Sequence, residues 1–172
     1  MNQGRSVGDG FQSTHDEFKH VCPKLLDLHA QFCHDPPPGF ETEAKPLLRP
    51  VPFSVRTYRL PDLFAGKMHA LLCRRWRNRV KGRDWYDFVW YVANHPQLHL
   101  SHLEQRMRQS GDYTSDRPLT LPELRERLRR AIEGLDIVKA RDEVSPFVSD
   151  WSSLQVWSPE FFASLVDQIE MV

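Results

Sequence analysis

Residues 60–87, LPDLFAGKMHALLCRRWRNRVKGRDWYD, decide how this chain is read. They describe two helices joined by a short basic turn. Pro61 and Asp62 stand where helix starts favour them: proline loses no bonded N–H in the first turn, and an acidic side chain faces unpaired amides. Leu63, Phe64, Met68, Leu71 and Leu72 then recur at helical spacing and give an apolar face through Trp76. Asn78 to Gly82 is the connection. Residues 83–94, RDWYDFVWYVAN, make the second helix. Its apolar band of Trp85, Phe88, Val89 and Val92 is too wide for an exposed helix, which predicts a central position.

Outward from this pair, the N-terminal side changes character. HDPPPGF, residues 34–40, combines three prolines with a glycine and marks the clearest boundary in the chain. Residues 40–48 and 53–59 read as two short strands, with Phe53, Val55 and Thr57 alternating against Ser54, Arg56 and Tyr58 as a half-buried strand would. Pro50-Val51-Pro52 suits the turn between them. A two-stranded ribbon is marginal alone, so it is expected to pack on helices or extend another sheet. Residues 15–34 have some helical pattern, interrupted by Pro23. On the C-terminal side, helices are expected at 100–109, stopped by Ser110-Gly111, and at 121–134, opened by Thr120 and Glu123 at capping-box spacing and closed by Gly134. A short one follows at 136–144, and Ser158-Pro159 opens a last one over 159–170. The fold class is therefore mainly α: a helical bundle with a small N-terminal β-ribbon. The divisions are a leader over 1–34, the proline-rich turn and ribbon over 35–60, and a helical domain over 61–172.

Composition excludes several classes. Of the 172 residues, 40% are hydrophobic and 27% charged, an ordinary globular balance. No run of 18 apolar residues is present, so no membrane partner is expected. The N-terminus lacks the basic-then-apolar pattern of a signal peptide. Three cysteines, Cys22, Cys33 and Cys73, are odd in number and widely spaced, which fits reduced thiols and a cytoplasmic setting. The 23 basic and 23 acidic residues cancel globally. Locally they do not. Between Pro61 and Arg83 stand Lys67, Arg74, Arg75, Arg77, Arg79, Lys81 and Arg83 against Asp62 alone, a local excess of six.

That charge suggests chemistry. Lys67 on the first helix, beside the small Gly66, faces a second helix that opens with Arg83 and Asp84 and carries Asp87 one turn on. Phosphoryl and nucleotidyl transfer ask a protein mainly for charge neutralisation and positioning. Lys67, Arg83 and Arg79 are candidate phosphate ligands. Asp84 and Asp87, at i and i+3, share a face and are candidates to position an acceptor, orient Lys67 or contribute to a Mg²⁺ site. The plainer alternative makes Lys67 a solvated charge and Arg83–Asp87 an i,i+4 helix pair. The turn itself, Arg74, Arg75, Trp76, Arg77, Arg79 and Lys81, has the make-up of a nucleic-acid contact, in which cations grip phosphate and a ring stacks on a base. The plainer alternative is a solvated face with Trp76 in the core.

Other constellations carry less. His15, His20, Cys22, His29, Cys33 and His34 crowd one region but lack zinc-ligand spacing, so no metal ligands are assigned. His69 is expected to be packed or half exposed, and His95, His99 and His102 to lie on the surface around a helix connection. No nucleophile elbow, GxGxxG or P-loop is present.

The stretch from DPPPGF through GKMHALL to RDWYDFVWYV resembles the C-terminal half of the AbiEii/AbiGii-type nucleotidyltransferase toxins, the toxin side of type IV toxin–antitoxin and abortive-infection systems. The proline-rich turn, strand pair, lysine-bearing helix and RxxxD element occur in that family's order, over about residues 35–111. The resemblance implies a polymerase-β-like transferase using Mg²⁺ and a nucleoside triphosphate, with acceptors such as tRNA ends and a cognate antitoxin as partner. It implies that Lys67 belongs to the lysine motif and that Arg83 and Asp87 belong to RxxxD, with Asp84 beside them. The family's Gly-Ser nucleotide loop and DxD strand have no counterpart in residues 1–34, and Gln31 and Cys33 stand where acidic residues are expected. Three readings follow. The chain is the helical half of such a transferase, truncated, with catalysis absent or completed by another chain; or a non-catalytic module that binds RNA or an antitoxin through 74–83; or an inactive relic. An open ribbon edge makes self-association a further expectation.

Overall fold

The computed structural model describes residues 37–74, 80–148 and 151–172. The leader at 1–34, with its His and Cys residues, and Arg75, Trp76, Arg77 and Arg79 of the turn lie outside the described residues. The elements are β1 (Thr42–Leu47), β2 (Phe53–Tyr58), α1 (Leu60–Cys73), α2 (Gly82–Asn94), β3 (Gln97–Leu98), α3 (Leu100–Gln109), α4 (Leu121–Glu133), α5 (Ile137–Val144), α6 (Pro159–Val166) and β4 (Glu170–Met171). Two short 3₁₀ turns, Ser145–Phe147 and Trp151–Leu154, connect α5 to α6. The protein is mainly α, as expected. Among the described residues, no helix is long and apolar enough to cross a membrane.

Local chemistry sets the helix ends. Thr120 Oγ1 accepts the Glu123 N–H, Asp136 Oδ1 the Lys139 N–H, and Ser158 Oγ the Phe161 N–H, so α4, α5 and α6 each begin at a side chain that satisfies an otherwise unpaired donor. Pro159 follows Ser158 in the first turn of α6. α3 ends as expected at Ser110, and Gly111, at φ +79, turns the chain so that the Asp112 N–H reaches the Met107 carbonyl at 2.8 Å.

The spacing of apolar residues then assembles the core. α1 packs on α2, α3 and α4; α2 also packs on α5 and α6. Phe64, Phe88, Leu103, Leu124, Leu128 and Phe162 are fully buried. Phe64 stacks on Tyr91 at 4.8 Å with nearly parallel rings, and Trp85 and Trp157 meet Phe162 edge-on at 5.0 and 5.2 Å. α2 is central, as its wide apolar band implies. Its seat on α5 depends on Gly82: a Cβ there would lie 2.0 Å from the Ala140 carbonyl oxygen.

The strand pair forms in antiparallel register, Thr42 opposite Tyr58 and Leu47 opposite Phe53. Its burial departs from the alternation. Val55 and Thr57 are half-buried, but Phe53 is 46% exposed. Among the described residues, the ribbon is anchored at one end only. Phe40 packs on Tyr58 at 4.7 Å and on His102 at 6.1 Å, while Leu47, Leu48, Val51 and Phe53 crowd the other end in the open. Among the described residues it extends no larger sheet.

Two further expectations are corrected. The last helix stops at Val166 rather than 170, and Glu170–Met171 pairs in parallel with Gln97–Leu98. The cause lies on α4: Arg125 donates to the Asp167 and Ile169 carbonyls, and Arg129 pairs with the Asp167 carboxylate at 2.6 Å, which draws the chain off the helical path. Nor is His102 a surface residue. It is 1% exposed between Phe40 and the α3 core, where burial and the Arg106 guanidinium push its pKa down.

Candidate functional site

The two helices of the opening stretch bring Lys67 and Asp87 together. Asp84, Asp87 and Tyr91 occupy i, i+3 and i+7 of α2, so one stripe of that helix faces α1. The Phe64–Tyr91 stack fixes the spacing, and one turn along α1 Lys67 Nζ reaches Asp87 Oδ2 at 2.5 Å. Their side chains are 44% and 35% exposed, so the pair is reachable from solvent. Asp84 lies beneath, 8% exposed. Burial raises its pKa, against the pull of Lys81, Arg74 and Lys67, while the Asp87 carboxylate adds to the rise. Burial, with help from Asp87, also raises Tyr91. Two carboxylates thus sit among three cations, a setting that suits an anion arriving from solvent.

The other sequence candidates divide. Arg83 joins neither Lys67 nor Asp87. Its backbone N–H donates to Glu143 Oε2 at 3.2 Å, its guanidinium lies 3.9 Å from Glu143 Oε1, and it covers the Phe147 ring at 4.9 Å. The i,i+4 pair of Arg83 with Asp87 is therefore not the one formed: α5 is packed close enough at Gly82 to capture the arginine first. Arg74 is exposed just after α1, and Lys81 is half-buried just before α2. The remaining members of the basic turn, Arg75, Trp76, Arg77 and Arg79, are outside the described residues.

Asp84 and Asp87 do not make a Mg²⁺ site by themselves. Lys67 already holds the nearest Asp87 oxygen, and among the described residues the one group of three or more candidate metal ligands lies elsewhere, at His69, Cys73 and Asp112. The i,i+4 spacing of His69 and Cys73 was legible in sequence, but Asp112 is separated from them by two helices. His69 is half-buried as expected. Burial, then Arg106, lowers its pKa to about 4, so its imidazole is neutral near pH 7.

A second contact escaped sequence reading. Asp62, a helix-start residue by pattern, is 3% exposed. It accepts the Glu41 N–H at 3.1 Å and pairs with His99 Nδ1 at 2.6 Å, tying the ribbon to the helices.

Residues 29–163 match the family model described as "Nucleotidyl transferase AbiEii toxin, Type IV TA system". Searches of curated proteins and of solved structures gave no match.

Proposed function

The chain belongs to the AbiEii nucleotidyl transferase toxin family of type IV toxin–antitoxin systems, and from that premise we propose that it supplies the helical, phosphate-binding half of a nucleotidyl-transfer site. The observation that carries the reading is the Lys67–Asp87 pair, half-exposed and spanning α1 and α2, with Asp84 buried behind it. Lys67 would neutralise phosphate oxygens of a nucleoside triphosphate. Asp87 is a positioning residue: it holds a flexible ammonium in one place, so less rotamer freedom is lost when the anion binds. Asp84 lies within the field of Lys67, Arg74 and Lys81. Such a site works by fixed charge placed where negative charge is handled.

The described residues do not supply a Mg²⁺ ligand set, and the 172-residue sequence contains no DxD pair of the expected kind. The reading therefore leaves the metal-binding carboxylates to groups outside the described residues, and holds that the described residues do not catalyse transfer unaided. An antitoxin is the partner that family membership suggests. The ribbon's open end, with Leu47, Leu48, Val51 and Phe53, supports protein contact there, including self-association, which sedimentation of a Phe53→Ser variant would test.

The deciding experiment measures triphosphate binding and Mg²⁺-dependent transfer of labelled nucleotide into total RNA. Purified protein is compared with Lys67→Ala and Asp87→Ala, all shown to be folded. Binding that Lys67→Ala abolishes and Asp87→Ala weakens, with no label transferred, is the expected result. Label transfer by the chain alone would refute the claim that it does not catalyse unaided. Triphosphate binding unchanged in Lys67→Ala would refute the phosphate role.

A second reading rests on the local excess of six positive charges between Pro61 and Arg83. It makes residues 74–83 an RNA contact. Salt-sensitive RNA binding, kept in Lys67→Ala and lost when Arg75, Arg77 and Arg79 are neutralised, distinguishes it. Loss of both activities would leave the relic.

A further inference from the structure

The face of α1 turned away from α2 carries a second constellation. His69 and Cys73 are four residues apart, so one helical turn stacks them. After α3, Gly111 reverses the chain in a conformation few other residues adopt, and this returns Asp112 to the same place. One imidazole nitrogen, the thiol sulfur and one carboxylate oxygen all lie within 4.8 Å of one another. The Ser110 hydroxyl sits between two of them, 3.0 Å from His69 Nε2 and donating to Asp112 Oδ2 at 2.6 Å.

The donor types narrow the ligand. A thiolate, an imidazole and a carboxylate together suit a borderline divalent ion of the zinc class better than Mg²⁺ or Ca²⁺, which take oxygen. Tetrahedral coordination with bonds of about 2.0–2.3 Å needs donors roughly 3.5 Å apart. Closing from 4.8 Å is within the reach of side-chain rotation at these half-buried positions, without moving α1. Charge is also accommodated. Cys73 loses its proton to solvent on binding, and the resulting thiolate with the Asp112 carboxylate offsets the dication. The loaded site is then neutral overall, one unit more positive than the empty site with its Asp112 carboxylate. Finally, a cavity of about 310 Å³ opens onto Cys73 and Asp112, with Arg127 and Arg130 of α4 on its wall.

We propose that His69, Cys73 and Asp112 bind one divalent ion of the zinc class, with the fourth coordination position open to this cavity for water or a small anion. The site is separate from the Lys67–Asp87 pair and does not depend on its function.

The test uses the full chain carrying Cys22→Ser and Cys33→Ser, which leaves Cys73 as the sole thiol. Co²⁺ is titrated and followed by absorbance, then displaced with Zn²⁺. One equivalent should bind with a thiolate-to-cobalt charge-transfer band and tetrahedral ligand-field bands. His69→Asn and Asp112→Asn, checked for fold by circular dichroism, should each weaken binding about tenfold or more, and Cys73→Ser should remove the band. Absence of the band in the folded parent overturns the proposal. So does affinity unchanged in both His69→Asn and Asp112→Asn, a result that stands even if Cys73→Ser fails to fold.

Discussion

Two carboxylate contacts on α1 look alike by distance and differ in every other respect. Asp62 meets His99 at 2.6 Å, and Asp87 meets Lys67 at 2.5 Å. The Asp62 side chain is 2% exposed and also accepts the Glu41 N–H. The Lys67 and Asp87 side chains are 44% and 35% exposed. A buried carboxylate with two partners is structure: removing it takes a hydrogen-bond partner from both the Glu41 N–H and the His99 ring. An open pair of equal length holds little of the fold together, because solvent replaces either partner cheaply. The second pair is thus free to exchange its partner for a ligand, while the first is not.

What places the open pair is the apolar packing under α2, and the largest effect is expected there. In Gly82→Ala, the new Cβ would meet the Ala140 carbonyl oxygen at 2.0 Å, backbone that cannot rotate aside. A loss of about 3 kcal/mol or more is expected, read as a drop of about 6–12 °C in Tm for a domain of this size. Triphosphate binding should fall with it, since Asp84 and Asp87 ride on the displaced helix. Wild-type Tm in this variant would show that α5 yields and that the seat is softer than its geometry.

The two carboxylates can then be set directly against each other. Asp62→Ala should cost about 1–3 kcal/mol, through the lost partner of the Glu41 N–H and of His99. Asp87→Ala should cost no more than about 1 kcal/mol. Equal losses in urea denaturation would erase the distinction. Acid sharpens it from another side. His102, next to Asp62 and His99, has its pKa held below the ordinary 6.5 mainly by burial and by Arg106. The unfolded chain therefore takes up that proton first. The associated stability is complete above pH 6.5 and is lost as pH falls below it. Asp84, with its pKa raised, works in the opposite direction and closer to the carboxylate range. Tm measured from pH 7 downward should fall below pH 6.5 and fall less in His102→Gln.

How far the sequence reached follows the same division. Periodic and capped features were legible: Thr120 and Ser158 announce α4 and α6, and the paired helices of residues 60–94 were read within one to three residues of their ends. The strand pair was legible too, from alternation and prolines. Its exposure was not, because alternation says which residues share a face and not whether anything lies against it. The contacts of Asp62 with His99, of Arg83 with Glu143 and of Asp112 with the His69 turn join residues at least 37 apart. No local pattern encodes them. The two-residue strands β3 and β4 carry too few side chains for a period, so the chain end read as more helix. Lys67, Asp84 and Asp87 stood out from the helix pair and its charge, and the resemblance named the same residues. Spacing left open a plainer pairing of Asp87 with Arg83.

Gly66 gives the smallest and most discriminating effect. It lies in the middle of α1, one residue before Lys67, where glycine costs a helix about 1 kcal/mol relative to alanine. No packing demand explains it: a Cβ there would meet only the Arg106 guanidinium carbon, at an ordinary 3.9 Å. Gly66→Ala should therefore raise stability by somewhat under about 1 kcal/mol, a shift of roughly 2 °C in Tm. If a triphosphate held by Lys67 also reaches the α1 backbone at Gly66, on the Arg106 side of the helix, the added methyl should weaken binding as stability rises. A variant both more stable and equally good at binding would mean that the ligand touches Lys67 from the α2 side alone. One both less stable and weaker would place Gly66 with Gly82, as a residue kept for packing. Only opposite movement of the two readouts marks this turn of α1 as held open for a ligand, in contrast to the turn at Asp62, where the fold has already filled every partner.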